Sequence, residues 1–171
     1  MRGYVLVGGA SRRFGEDKAS APVDGVPMAE RVALAMEAAG LEVRFVGKRA
    51  RWRPTVLEEG DRHPLRGVLA ALDDAAAAGL ERAVLAPCDL PYLPADAFRT
   101  LLARPRAAVL AADWAQPLCA VYPVSWLPRA RDLLDSGGSV RAFAADAERV
   151  QVPEAWLHNV NRRDDLGPQG S

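Results

Sequence analysis

The stretch LVGGASRRFGEDK, residues 6–18, holds the residues best suited to binding a polyanion. An apolar run breaks into adjacent Gly8 and Gly9, and Arg12, Arg13 and Lys18 follow. Glycines let backbone N–H groups approach phosphate oxygens closely, and the cations neutralise charge. The spacing matches neither familiar phosphate loop. A P-loop requires GxxxxGK[ST], whereas Glu16 follows Gly15; a dinucleotide fingerprint requires GxGxxG, whereas these glycines are adjacent. Without a ligand, the same residues read as a tight strand-to-helix turn. Lys18 and Lys48 are two lysines among 22 basic residues, so arginine is the default cation. A lysine in such a chain either supplies a compact ammonium or stands there by chance.

A second candidate lies in AVLAPCDLPYLP, where Asp89 follows an apolar run between Pro87 and Pro91. Magnesium takes hard oxygen ligands, commonly one or two carboxylates plus substrate phosphates, so one well-placed aspartate suffices. The competing reading is a turn or helix cap ahead of Pro94. Cys88 is expected to pack rather than react, because its neighbour Asp89 raises the thiol pKa and no histidine lies near in sequence.

These residues need a scaffold that brings them to one edge. Short apolar runs predict buried strands at residues 4–7, 43–46, 83–86 and 107–112. Val32, Ala35, Met36 and Ala39 recur at helical spacing before Gly40, and Leu65, Val68, Leu69 and Leu72 before Gly79. A third helix is expected from Pro94 to about Ala103, with Pro105 ending it. Further on, PLCAVY reads as a strand, WLPRARDLLD as a helix stopped by Gly137 and Gly138, and SVRAFAAD as a short helix. Alternating strands and helices imply a single-domain α/β fold, Rossmann-like, with an open, mostly parallel sheet covered by helices on both faces. Ligands of such sheets sit beyond the C-terminal strand ends, where Gly8 and Asp89 would meet. The domain is expected to span residues 1–166, with residues 167–171 a frayed tail.

With 171 residues, half of them hydrophobic, and a formal net charge of zero, the chain suits one full core and carries no electrostatic footprint for nucleic acid. RPRAAVL and KRARWR are basic patches expected on solvated surface. No run is long enough to span a membrane, and MRGYVLVGG is too short and glycine-broken for a signal peptide, so a cytoplasmic location is expected. Two cysteines and two histidines leave little room for a disulfide framework or a structural zinc site.

Taken with its full spacing, the first loop resembles the nucleotidyltransferase signature L-x-GG-x-S-x-R-x-G-x-DK…GxP. This is the signature of the molybdenum cofactor guanylyltransferases and their cytidylyltransferase relatives. Here it reads Leu6, Gly8, Gly9, Ser11, Arg13, Gly15, Asp17, Lys18, then Gly25 and Pro27. The resemblance runs from Leu6 to about Leu166. It implies a nucleotide-diphospho-sugar transferase-like fold and transfer of GMP from GTP to the terminal phosphate of molybdopterin, with pyrophosphate released. Lys18, Arg13 and Asp89 would be catalytic, with Asp89 the ligand of Mg²⁺; Asp17 would either orient the lysine or cap the turn. Leu6, Val7, Gly8, Gly9, Ser11, Gly15 and Lys18 would hold the nucleotide. So would LEEGDRHPLRG, which resembles the family's D-x-x-GPL-x-G, through Asp61, Pro64, Leu65 and Gly67, with Asp61 accepting from guanine N1–H and the 2-amino group. Two departures stand out: His63 replaces the usual glycine, and Lys48 lies where an asparagine is common. His63 is expected to be a loop histidine, because an ionised attacking phosphate needs no base. QPLCAVYP and WLHNVNRRDDL resemble the family's closing segments. Gln116, Asn159 and Asn161 would then contact the acceptor, although asparagines are also ordinary turn-formers. The implied partners are GTP and molybdopterin, with transient contact to molybdenum-cofactor biosynthesis or acceptor proteins left open. CTP in place of GTP, another phosphorylated acceptor, or a non-catalytic nucleotide-binding carrier are the alternatives.

Overall fold

The apolar runs form strands, and the 3.6-residue patterns form the helices that cover them. A computed structural model describes residues 1–8, 17–161 and 165. In chain order the elements are β1 (Arg2–Leu6), β2 (Pro22–Val23), β3 (Val26–Pro27), α1 (Met28–Ala38), β4 (Glu42–Gly47), β5 (Thr55–Leu57), α2 (Pro64–Ala77), β6 (Arg82–Pro87), α3 (Ala95–Leu102), β7 (Ala108–Ala111), β8 (Ala115–Pro123), α4 (Leu127–Asp135), α5 (Val140–Phe143) and β9 (Glu148–Gln151). Short 3₁₀ turns cover Lys18–Ser20, Val124–Trp126 and Glu154–Leu157. Among the described residues no helix is long and apolar enough to cross a membrane. The expected frayed tail, residues 167–171, lies outside the described residues.

Seven strands form one sheet in the order β5-β4-β1-β6-β8-β7-β9. Pairing is parallel throughout except at β8, which runs antiparallel to both β6 and β7. Period-two alternation sends neighbouring residues to opposite faces. Val5, Phe45, Val84 and Leu110 pack under α1 and α3, whereas Tyr4, Val46, Leu85 and Val109 pack under α2, α4 and α5. The expected stops hold: Gly40 and Gly79 adopt φ of +87° and +69° beyond α1 and α2, a left-handed conformation that glycine enters without a Cβ penalty. Two edge strands, β5 and β9, and the β2–β3 hairpin were not expected from the sequence. Each is only two to four residues long and carries no sustained apolar run.

Polar contacts fasten helices and loops to this sheet. At the N-terminal strand edge the Tyr4 hydroxyl donates to Asp74 Oδ2 at 2.7 Å; Arg2 donates to the same oxygen at 2.9 Å and Arg44 to Oδ1 at 3.2 Å. One carboxylate on α2 thus ties down β1 and β4. The segment KRARWR, expected on solvated surface, is exposed at Lys48, Arg49, Ala50 and Trp52, whereas Arg51 and Arg53 are half-buried. Arg53 pairs with Glu30 and Glu37 on α1, and Trp52 donates to Glu30 while meeting Phe45 edge-on at 5.3 Å. Arg51, its side chain 9% exposed, pairs with Asp17, which also accepts from Arg49 at 2.8 Å. Asp17 caps the turn that carries Lys18, accepting from Ala19 N at 3.4 Å and Ser20 Oγ at 3.2 Å. Of the two roles open to Asp17, capping is the one its contacts show.

Replacing Asp74 by alanine strands the buried Tyr4 hydroxyl at the edge remote from the strand C-termini. Urea denaturation is expected to show a loss of about 1–3 kcal/mol with turnover unchanged. Burial alone would raise the Asp17 carboxyl, but hydrogen bonds from Arg51, Arg49 and Ser20 hold it at about 2. A depressed carboxyl stabilises the fold above its ordinary value of 3.8, and that stabilisation disappears as pH falls through the folded value. The urea midpoint of Asp17→Asn is therefore expected to lie below wild type at neutral pH and to fall less steeply between about pH 4 and pH 2.

Candidate active site

Backbone pairing continues past the ends of the central strands. Val7 N donates to Val46 O at 2.9 Å and Cys88 N to Leu6 O at 3.1 Å, so Gly8 and Asp89 leave the sheet side by side. Asp89 Oδ2 accepts from Lys18 Nζ at 3.0 Å, and the same ammonium donates to Asn161 Oδ1 at 2.7 Å. Three chain-distant segments thereby meet on one cation, whose side chain is only 13% exposed. The tail is held there by backbone as well: Val160 N donates to Asp89 O at 2.9 Å, and the fully buried Val160 packs with Ala21, Val23, Met28 and Tyr92. Period-two alternation around Val160 sets Asn159 and Asn161 on its flanks. Asn161, expected on the acceptor side, sits on the lysine expected to serve the donor.

Two oxygens in this cluster are conspicuous. Asp89 Oδ1 and Asn159 Oδ1 are buried without a hydrogen-bond partner. Buried acceptors in folded proteins are nearly always satisfied, so each orphan marks a place where a ligand would complete the shell. Among the described residues no three histidine, cysteine, aspartate or glutamate side chains gather as a metal site. The unpartnered Asp89 Oδ1 is a hard oxygen of the type Mg²⁺ takes beside substrate phosphates. Cys88 takes no part: burial, and next the Asp89 charge, push its thiol up to about 12, against the neighbour-only cause expected from sequence. Both cysteines are free and buried.

The opposite wall is built from β4, β5 and the entry to α2. Glu58 N donates to Gly47 O at 2.8 Å, extending the β4–β5 pairing by one residue and turning the Glu58 side chain inward, where it is 9% exposed. Its Oε2 lies 3.1 Å from where a Cβ on Gly8 would stand and 3.4 Å from one on Gly67. Burial raises the Glu58 carboxyl, and the charges of Lys48 and Arg66 only partly offset the rise. Lys48 Nζ stands 3.8 Å from Glu58 Oε1 and donates to Gly60 O. His63 occupies the cap of α2, its Nδ1 accepting from Leu65 N at 3.2 Å. The histidine that replaces the usual glycine thus performs a capping role instead of standing idle in a loop.

Of the other expected residues, Leu6 is half-buried, Val7 and Leu65 are buried, and Pro64 is the exposed first residue of α2. Asp61 is exposed in the loop ahead of α2, and Gln116 is half-buried at the start of β8, paired with Leu110. Gly9, Ser11, Arg13 and Gly15 lie outside the described residues. Glu58, Arg49 and Arg51 were missed. For Glu58 a signal existed: an acid directly after the apolar TVL, the same placement that identified Asp89.

Comparison with known proteins gives the family and the fold. The model of the MobA-like NTP transferase domain matches residues 3–151. A molybdenum cofactor guanylyltransferase of Cereibacter sphaeroides is 38% identical, with 96% of this chain and 92% of that protein covered. A probable molybdenum cofactor guanylyltransferase of Opitutus terrae is 36% identical over the same shares. Among solved structures, molybdopterin-guanine dinucleotide biosynthesis protein A from Archaeoglobus fulgidus superposes with a TM-score of 0.77 over 97% of this chain and 95% of its own, at 21% identity, which speaks for the fold. The chain belongs to the MobA-like NTP transferase family, among relatives named molybdenum cofactor guanylyltransferase.

Proposed function

We propose that this protein is a molybdenum cofactor guanylyltransferase, joining GMP from GTP to the terminal phosphate of molybdopterin and releasing pyrophosphate. The observation that carries the reading is the Lys18 ammonium held between Asp89 and Asn161 at the C-terminal strand edge of a MobA-like domain. An ammonium has three donors, and these two acceptors occupy two of them. The third is available to an α-phosphate oxygen, and the neighbouring carboxylate and amide fix its direction.

In the reaction an oxygen of the acceptor's phosphate monoester attacks the α-phosphorus of GTP. The new P–O bond forms as the bond to the β-phosphate bridging oxygen breaks, and pyrophosphate leaves with the electron pair. The attacking phosphate is already ionised, so no side chain removes a proton. The protein's task is to hold two polyanions in line and to stabilise the charge that gathers on the phosphoryl oxygens. Lys18 does this with a fixed charge. The unpartnered Asp89 Oδ1 fits Mg²⁺, which when bound would neutralise the phosphate oxygens as a hard Lewis acid. Asn159, with its own unpartnered oxygen, and Gln116 at the start of β8 are assigned to the acceptor in this reading. A carrier that only binds nucleotide has no need of a lysine and carboxylate locked together at the position of the reacting phosphorus.

Pyrophosphate release measured with each of the four nucleoside triphosphates, with and without molybdopterin, tests this. Release with GTP only when molybdopterin is present is expected; release with CTP instead, or none with any nucleotide, would reject the guanylyltransferase. Lys18→Arg is expected to lose on the order of 10²–10³ in rate, because a planar fork cannot replace a compact ammonium between Asp89 and Asn161. Asp89→Asn is expected to lose at least as much while its thermal midpoint stays within a few degrees of wild type.

A further inference from the structure

The three segments that meet at Lys18 meet again in a small apolar cluster, apart from the two that sandwich the sheet. Ala21 follows the Lys18 turn, Val23 lies in the β2–β3 hairpin, Met28 opens α1 and Val160 directly precedes Asn161. All four are buried, and Tyr92, three residues beyond Asp89, packs against them. The hairpin serves this cluster. Its tip turns through Asp24 and Gly25, with φ of +50° and +78°, so Val23 pairs with Val26 and the chain returns to α1, where Met28 N donates to Ala21 O at 2.9 Å.

Tyr92 is half-buried, and its ring is gripped by residues from two other segments. The Arg31 guanidinium of α1 stands 5.9 Å from the ring centroid, within cation–π range, and His158 of the tail meets the ring at 5.7 Å with the planes tilted by 49°. Arg31 is itself fixed by backbone: its Nε donates to Pro91 O at 3.2 Å and its Nη1 to Val23 O at 3.3 Å. One arginine thus ties the loop after β6 to the hairpin, and the ring beside it forms a platform for the tail. Asn159, whose buried oxygen has no partner, lies between His158 and Val160, the two tail residues in these contacts.

We infer that Tyr92 is a positioning residue of the reaction: held by Arg31, its ring seats the tail so that Asn161 Oδ1 meets Lys18 Nζ. The inference rests on the transferase reading, in which that ammonium holds the α-phosphate. The bond from Val160 N to Asp89 O fixes the tail at one point, and a second contact at His158, two residues away, removes rotation about it. Such restraint matters for in-line transfer, where a misplacement of about 1 Å can cost on the order of a hundredfold in rate. These contacts are made by the ring and not by the hydroxyl.

A double-mutant cycle tests the inference. Tyr92→Leu and Asn161→Ala are each expected to lower kcat about tenfold, with KM for the triphosphate within about twofold of wild type. Because Tyr92 acts through Asn161, the double variant is expected to lose about the same tenfold and not a hundredfold. Tyr92→Phe, which keeps the ring, is expected to turn over like wild type. Arg31→Met, which leaves the ring but frees it, is expected to show the same non-additivity with a loss of about threefold, and it carries the cycle if Tyr92→Leu does not fold. Hydrogen exchange of the Val160 amide is measured alongside: Tyr92→Leu is expected to speed it about tenfold while the Val84 amide in β6 is unchanged. Multiplied losses in the double variant, unaltered Val160 exchange, or a Tyr92→Phe as slow as Tyr92→Leu would overturn the inference. The cycle uses whichever triphosphate the wild-type chain consumes with molybdopterin, so the identity of the base does not affect it. A chain that consumes none rejects the proposed reaction, and Val160 exchange alone then upholds or overturns the seat.

Discussion

The Lys18 ammonium, fixed by Asp89 at 3.0 Å and Asn161 at 2.7 Å, is the contact on which the rest of the crevice depends. The lysine and its two partners come from the first loop, the end of β6 and the tail after β9, so no local structure creates the contact. A mostly buried lysine costs desolvation free energy, and an adjacent carboxylate with a second acceptor repays it only if the geometry is good. The scaffold supplies that geometry through backbone. Hydrogen bonds from Cys88 to Leu6 and from Val160 to Asp89 fix the relative height of the segments before any side chain is placed. What remains is a cation with spare donor capacity beside an unpartnered carboxylate oxygen, an arrangement suited to an anion and its counterion.

Around this centre the arginines divide their work by location. Arg51 and Arg53 consume the acids of the loop and of α1, and Arg2 and Arg44 converge on Asp74. These pairs tie the loop after β4 to α1 and to the turn that carries Lys18, and α2 to β1. Lysine is kept for two places where a small, rotatable donor must stand beside a carboxylate: Lys18 with Asp89 and Lys48 with Glu58. The chain's scarcity of lysine thus has a spatial counterpart, for both lysines lie on the same edge of the sheet.

Much of this was legible in the residues. The four central apolar runs, the two glycine-stopped helices and the strand-end placement of Asp89 all follow from periodicity and from the open-sheet rule. The direction of β8 did not, because an apolar run carries no polarity. It is the three-residue turn at residues 112–114 that forces β7 and β8 into an antiparallel pair, and such a turn is short enough to pass for a loop. β9 escaped because ERVQ buries one side chain, Val150, and β5 because three residues cannot show a period. With β5 too short to show a period, the strand end that carries Glu58 is not legible either. Arg51 and Asp17 were likewise read as separate charges, since nothing in a sequence says that two loops 34 residues apart will touch.

The burial of Val160 imposes an order of assembly. The sheet, the helices and the lysine can all be in place while the crevice still lacks one wall, because Asn161 reaches Lys18 across 143 residues of chain and arrives only when the tail docks on Asp89. Contacts of such separation pay their loop-closure entropy late in folding. Without the docked tail the Lys18 ammonium keeps Asp89 but lacks its second acceptor, so the reaction centre is complete only in the fully folded chain.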